Sequence, residues 1–525
     1  MSRTGKYAYR TYRSSHGRSS AGWVPWVVFM VVSVVMIGVL WLGWQIYQGR
    51  SPIDSFTHPA GNSVLKVGLR TSPDSLDIRK DSSDSLQQAL IGNVYETLVK
   101  RGDDNSLQPG LAQSWDVSQD GLTYRFNLRQ GVRFSNGDVM NSDSVLQSLQ
   151  QGITNNYPGY EALNTIKTVA NPDNHTVVFT LTKPNALLLR RLSGRAGIVY
   201  DTKAVAIDYM NGALGTGPFT VSSYNKGHSL VLVRNNRYWG TPASCASITL
   251  QYFDSDTALA DAMEKGNIQM AVPLEGNENK RLAAIADTKM VEGQSTRVRF
   301  LAFNSTVASI FCDEQARKAA RYAMNVQTVM AADGNGGVPV GGPIDPLSTG
   351  YEDLTGLYPY NPAKAGPLFH YFSSSYLGTI SFLVPQGEGD VGRELSKQIS
   401  SVSGFKVNLE EVDQKTLQQR ISEGKYDIAL TTLSNTLDEG AFAESGSPFV
   451  LQDSRAQQAW ANAVHSRNAS EYEANVRAYA REVSNNAAAH WLYARKSIMA
   501  VKSNISGYTK NMTDQLLPLH DVSVK

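Results

Sequence analysis

Residues 379–430 repeat a single pattern. A strand-like run at Thr379–Val384 leads into a helical period at Val391–Val402. A second strand at Phe405–Val412 leads into a helix at Thr416–Glu423 that ends on Gly424, and Tyr426–Leu430 closes the set as a third strand. A strand reached across a helix re-enters its sheet parallel to the one before it, by a right-handed crossover. The stretch therefore predicts a parallel, doubly wound sheet, and the fold class is α/β. With 525 residues the chain has room for two or three domains with sizeable cores.

Elsewhere the patterns are of other kinds. Leu122, Tyr124, Phe126 and Leu128 alternate with polar residues between the turn formers Gln119-Asp-Gly121 and Asn136-Gly-Asp138, which predicts a hairpin with one buried face. Thr176–Leu181 and Ile248–Phe253 read as strands, and Asp256–Lys265 as a helix closed by Gly266. Leu86, Leu90, Val94 and Leu98 recur every four residues, predicting one helix over Ser82–Lys100. Ser470 and Glu473 have the spacing of a capping box. Arg297–Asn304 and Trp491–Val501 are two further strands.

Hydrophobic residues make up 42% of the chain and charged residues 18%, which excludes a disordered chain. The net charge of +2 is unevenly spread. Arg3, Lys6, Arg10, Arg13 and Arg18 lie in a first segment without acids; setting them aside leaves an acidic body with no basic stripe, so no nucleic-acid partner is expected. Val24–Leu42 is apolar except for Ser33, and about 20 helical residues span a bilayer core of roughly 30 Å. Trp23, Trp26, Trp41, Trp44 and Tyr47 bracket this run as interfacial aromatics do. The expectation is a basic cytoplasmic arm at 1–22, a transmembrane signal anchor at 23–47 and a linker at 48–62, with the bulk outside the cell membrane. A cleaved signal peptide is the alternative, although Gln45–Ser51 lacks a small-residue cleavage site. Cys245 and Cys312 are the only cysteines, and their separation leaves a disulfide open.

Gly215–Gly240 reads GTGPFTVSSYNKGHSLVLVRNNRYWG. Gly215, Gly217 and Pro218 force a turn, Phe219, Val221 and Ser223 start a strand, and Asn225–Gly227 makes a hairpin that returns through Leu230, Leu232 and Arg234. The whole string, ending Arg-Asn-x-x-Tyr-Trp-Gly, resembles the signature of family 5 extracellular solute-binding proteins, the oligopeptide/dipeptide-type receptors of ABC importers. Ser75-Leu76-Asp77, Asn93-Val-Tyr95-Glu96-Thr-Leu98, the segment 109–138, Asp313 with Arg317, Ala319 and Ala323, and Tyr358–Ala365 match further family segments in register.

The resemblance implies a two-lobed, periplasmic-binding-protein-like fold of type II with an extra subdomain. Lobe I would use residues 63–298 with 491–525 returning to it, and lobe II residues 299–490, joined by two crossing strands. It implies a non-enzymatic component of an ABC importer that binds a small solute, with an oligopeptide leading, in an interlobe cleft that closes. Permease and ATPase subunits would be its partners. Together with the apolar amino-terminal run this describes a membrane-anchored variant, single-pass, with its amino terminus in the cytoplasm and a membrane contact through that helix. A membrane-tethered sensor or interaction protein that kept the fold and lost transport is the second reading, kept open by the lack of a lipid-accepting cysteine and by departures in the ligand region.

Those departures lie at 427–438. Peptide-binding members carry a tryptophan and, three residues later, an aspartate for a peptide's amino terminus; here the positions hold Leu433 and Thr436. A hydroxyl cannot supply the charge-assisted bond of a carboxylate. Asp438 is a substitute two residues along, while Asn435 and Asp438 equally suit an ordinary turn. Asn304, at the end of a crossing strand, is either a hinge-adjacent ligand contact or a structural amide. Gly387-Glu-Gly-Asp-Val-Gly392 matches the dinucleotide pattern G-x-G-x-x-G, but Glu388 and Asp390 would repel a pyrophosphate. The same loop position suits a ligand cleft, which makes Gly387, Glu388 and Gly389 candidate lining residues. The eight histidines show no metal spacing and no G-x-S-x-G is present, so no metal, cofactor or catalytic residue is expected.

Overall fold

Ile380–Pro385 lies parallel to Val407–Val412 on one side and to Ile428–Leu433 on the other. Helices Gly389–Ser403 and Gln414–Ser422 make the crossovers, as the pattern at 379–430 predicts. Gly404 and Gly424 follow them at φ 74° and 66°, the left-handed C′ conformation that suits glycine. The computed structural model describes residues 63–525 apart from 206, 275–277, 374–377, 434–435 and 515.

These three strands form one end of an eleven-stranded sheet. Two long strands run through its middle: a first crossing strand, Thr288–Phe303, and a second, Ala489–Lys502, paired antiparallel with a register shift between Gln294 and Val298. The first pairs with Ile428–Leu433. The second pairs with Met270–Ala271, from which the sheet continues through Val64–Leu69 and Ser247–Tyr252 to the hairpin Phe219–Asn225/Ser229–Arg234.

The cores fall on either side of the crossing strands. One gathers Leu65, Phe219, Leu250 and Met499. Phe300, Phe442 and Trp491 belong to another, and Phe303, Phe382 and Leu430 to a third on the opposite face of the parallel strands. The result is a two-lobed α/β fold. A four-stranded antiparallel sheet, in the order Ala112–Val117, Thr123–Leu128, Thr176–Leu181, Ile166–Asp173, adds a subdomain whose core holds Phe126 and Phe179 with ring centres 5.1 Å apart.

Several expectations need correction. The helix expected over Ser82–Lys100 stops at Leu90, because Gly92 turns the chain at φ 80° and its N–H bonds to the Tyr95 carbonyl. Asn468, not Ser470, caps helix Ala469–Asn485, accepting from the Glu471 N–H at 2.9 Å. Cys245 and Cys312 are both free thiols, the first buried and the second exposed.

The largest correction concerns the membrane. The expected fold included an N-terminal transmembrane helix, and with it an anchored variant, a single-pass location and a membrane contact. Among the described residues no helix is long and apolar enough to cross a membrane. The longest of them, Ala469–Asn485, has 17 residues, short of the roughly 30 Å needed, and is lined with Glu and Arg. The 23–47 segment, the 1–22 arm and the 48–62 linker lie outside the described residues. Among the described residues the fold is the two-lobed α/β architecture with no helix able to cross a membrane, and the anchored variant, its location and its membrane contact are withdrawn.

Candidate functional site

The signature residues fasten lobe I together. Glu96 accepts from Thr216 Oγ1 at 2.8 Å, Trp239 Nε1 at 2.8 Å and Tyr238 Oη at 3.1 Å, so the N-x-Y-E and R-N-x-x-Y-W segments share one carboxylate. Burial pushes this carboxyl upward while the three donors pull it back. Asn93 donates to the Leu517 carbonyl at 2.9 Å and accepts from the Leu519 N–H at 3.0 Å, which ties down the carboxyl-terminal segment. Gly215 must be glycine for space: a Cβ there would lie 2.1 Å from the Val94 carbonyl oxygen, a backbone atom that cannot swing aside. Gly215→Ala is therefore expected to destabilise the fold by about 1–3 kcal/mol, read as a lower thermal midpoint. An unchanged midpoint would show that the close approach is dispensable.

The residues singled out in the sequence, Asn435 apart, have definite places. Asn304 is committed within lobe II: its amide donates to the Gly424 and Tyr426 carbonyls at 3.0 and 2.6 Å, and its Oδ1 accepts from the Thr306 N–H at 3.0 Å. Glu388 forms an ion pair with the buried Arg299 of the first crossing strand. The Gly387 N–H donates to Glu411 Oε2 at 3.3 Å, and a Cβ on Gly389 would collide with Glu411 Oε1. The glycine-rich loop thus receives the protein's own carboxylate. Leu433 is buried in the lobe II core at the end of its strand. Thr436 and Asp438 belong to the 3-10 turn Thr436–Phe442, where Asp438 is exposed. Asn435 lies outside the described residues.

One residue of the seam carries almost no signal in the sequence. Glu439 is 4% exposed; its carboxyl is hydrogen-bonded by Ser348, and among the described residues its Oε1 has no partner. Only its adjacency to Asp438 could have signalled it, and adjacency does not tell which of two acids turns inward. Groups distant in sequence converge around it. Asn105 Oδ1 accepts from the Arg101 guanidinium and, at 3.5 Å, from Arg190. Asn105 Nδ2 reaches the Leu347 carbonyl and Ser348 Oγ, both at 3.3 Å. Ser348 Oγ donates to Asp345 Oδ2 at 2.6 Å, and Arg101 Nη1 meets Asp514 Oδ2 at 2.9 Å. Nearby the Ala186 N–H donates to the Val464 carbonyl at 2.8 Å, and Leu187 packs into the core that holds Phe300 and Trp491. The subdomain side and the 340–464 side therefore meet in a charged seam.

Burial dominates the electrostatics of this seam. It pushes the Glu439 carboxyl up to about 8, opposed by Arg190 and reinforced by Asp345. It pushes Asp345 up to about 6 against the Ser348 hydroxyl and the Leu347 N–H. It brings Arg101 down to about 10, with Asp514 opposing. Such a seam can hold charged groups of a guest. Among the described residues no group of three His, Cys, Asp or Glu side chains could hold a metal ion.

Two α/β lobes joined by two crossing strands, with charges from both sides meeting in one seam, define a binding protein of the periplasmic-binding-protein-like class. The chain belongs to the bacterial extracellular solute-binding proteins, family 5, whose middle region matches residues 106–445. It is 24% identical over 491 residues to the Probable D,D-dipeptide-binding periplasmic protein DdpA of Escherichia coli, covering 88% of this chain and 94% of that protein. It is 29% identical over 326 residues to the glutathione-binding protein GsiB of Salmonella typhi, covering 61% of this chain and 63% of the relative. The periplasmic binding protein DppA of Helicobacter pylori, solved in complex with peptide STSA, shares the fold at a TM-score of 0.75 and 21% identity over 88% of this chain and 98% of that one. The chain is thus an extracytoplasmic solute-binding component of an ABC importer, and not an enzyme.

Proposed function

We propose that the chain captures a peptide-type solute in the seam between its lobes and closes over it. The observation that carries this reading is the convergence of Arg101, Asn105 and Arg190 on Asp345, Ser348 and Glu439, side chains from opposite sides of one cleft. Closure is favoured only by contacts a ligand makes to both lobes at once, and here each lobe offers charged and polar groups. Three relatives or structural neighbours carry a D,D-dipeptide, glutathione or a bound peptide in their descriptions, which favours a peptide. In this reading lobe I comprises 63–298 with 491–525, and lobe II comprises 299–490. The solute lies against the segment of Asn435, Thr436, Asp438 and Glu439, while Asn304, Gly387, Glu388, Gly389 and Leu433 serve the frame.

The test is native mass spectrometry of the full chain as purified, followed by thermal shifts with pools of di-, tri- and tetrapeptides and of oligosaccharides. A peptide pool is expected to raise the melting temperature, and Arg190→Ala to weaken the best peptide tenfold or more, about 1.4 kcal/mol. Stabilisation by sugars alone would overturn the peptide assignment.

A further inference from the structure

Asn105 holds a left-handed backbone, φ 65°, in the turn between strands Val99–Arg101 and Leu107–Pro109, and it is buried. Its Oδ1 accepts from the Arg101 and Arg190 guanidiniums, while its Nδ2 donates to the Leu347 carbonyl and to Ser348 Oγ, both at 3.3 Å. Guanidiniums only donate and a carbonyl only accepts, so the amide can face no other way. With two acceptor sites and two N–H groups filled, this carboxamide has nothing left for a solute. Its partners belong to two bodies. Val99 lies in the subdomain core with Phe126, whereas Val340 and Ile344, which lead into Leu347, lie in the core of Phe300 and Trp491.

The same turn is tied to the place where the crossing strands can bend. Their ladder is interrupted between Gln294 and Val298, where the sheet passes from Met270–Ala271 to Ile428–Leu433 as neighbour. A bulge of this kind bends and twists its strand. Segment 511–514 lies against it. The Gln294 N–H donates to Asn511 Oδ1 at 2.8 Å, the Met512 N–H to the Gln294 carbonyl at 2.9 Å, and the Asp514 N–H to Thr296 Oγ1 at 3.0 Å. The segment also holds the hairpin: Asn511 Nδ2 donates to the Asp103 carbonyl at 3.0 Å, and Asp514 meets Arg101 at 2.9 Å. A continuous set of bonds thus runs from the bulge to the turn of Asn105, and across the seam to Leu347 and Ser348.

We propose that Asn105 is a latch between the lobes: its Nδ2 bonds to Leu347 and Ser348 set the resting balance between open and closed forms. This rests on the reading of a cleft that closes. A solute shifts the balance by its contacts to both lobes, and the latch fixes where that shift starts. One such bond is worth about fivefold in an equilibrium, so losing both lowers the closed-to-open ratio by about tenfold or more. Apparent affinity falls with the closed fraction, for every solute alike.

The experiment follows lobe separation in the full chain by energy transfer between dyes on Cys312, which is exposed, and on a Lys226→Cys substitution in the lobe I hairpin; Cys245 is buried and spared. Two variants are compared with the wild type, each with and without a tripeptide pool. Asn105→Gly suits the left-handed turn and removes the amide. Asn105→Asp keeps an oxygen for the two arginines and removes the donor that crosses the seam. Both are expected to lower the closed-to-open ratio by about tenfold or more, and the pool to draw the lobes together again. Either variant keeping the wild-type separation, while the pool still shortens it, would overturn the latch and preserve the closing cleft. A lower thermal midpoint at unchanged separation would do the same, marking Asn105 as a structural amide. Opening in both variants that the pool does not reverse would uphold the latch and overturn closure over a peptide. A separation moved by neither the variants nor the pool would overturn both.

Discussion

Replacing Trp491 by alanine is expected to cost about 3–5 kcal/mol, read as a fall in the urea midpoint followed by circular dichroism. The ring is 1% exposed on the second crossing strand and stands opposite Phe300 in the pairing with the first. Its centre lies 5.5 Å from Phe300 and 4.8 Å from Phe442, and Phe300 and Phe442 also touch. Truncation opens a cavity bounded by two strands that cannot collapse without breaking their ladder, so relaxation recovers little of the loss. The effect reaches the seam because Phe442 ends the same 3-10 turn that holds Glu439. Trp491→Phe keeps most of the ring contact and should cost less than half as much. A loss under about 1 kcal/mol for the alanine variant would mean that the cluster repacks and is no keystone.

Much of this fold is legible in the sequence because local chemistry and tertiary role agree. The parallel strands around Ile380–Pro385 are announced by apolar runs separated by helical periods and closed by Gly404 and Gly424, residues whose backbone angles the turns require. The G-T-G-P-F string is legible for a different reason. Gly215 and Gly217 pass so close to the backbone at Asn93 and Val94 that two distant segments must carry matching residues. Where local pattern and tertiary role part, reading fails. Leu86 to Leu98 keep a helical period past Leu90 because all of them are buried, some in helix and some not, and burial alone does not distinguish the two. The seam is the extreme case. Arg101 and Asp514 are more than 400 residues apart and meet at 2.9 Å, and nothing in the neighbourhood of either announces the other. Charged residues in a chain normally read as solvated surface, so a buried charged cluster built by topology stays invisible until the topology is known.

The ion pair between Arg299 and Glu388 offers the second large effect, and it separates two readings of the glycine-rich loop. Arg299 lies on the first crossing strand, opposite Thr432 and Tyr493, with its side chain 2% exposed; Glu388 comes from the loop after Ile380–Pro385 and is 18% exposed. Removing either partner takes an opposing charge from a group held largely away from water, and each of Arg299→Met and Glu388→Met is expected to cost about 3–5 kcal/mol. The double replacement removes both desolvated charges and should cost much less than the sum, leaving a large coupling term in a double-mutant cycle. Because the pair is buried, that term should survive high salt, unlike that of an exposed pair. Were Glu388 a ligand contact in a loosely held loop, Glu388→Met would instead change affinity with little loss of stability, and the two effects would add. The loop's own chemistry argues for the first outcome. Gly387 donates to Glu411, Gly389 has no room for a side chain beside the same carboxylate, and Gly392 packs against Leu409 and Val384. Its glycines let helix Gly389–Ser403 close onto the strands beneath it, and its one inward acid neutralises the arginine that anchors a crossing strand to lobe II.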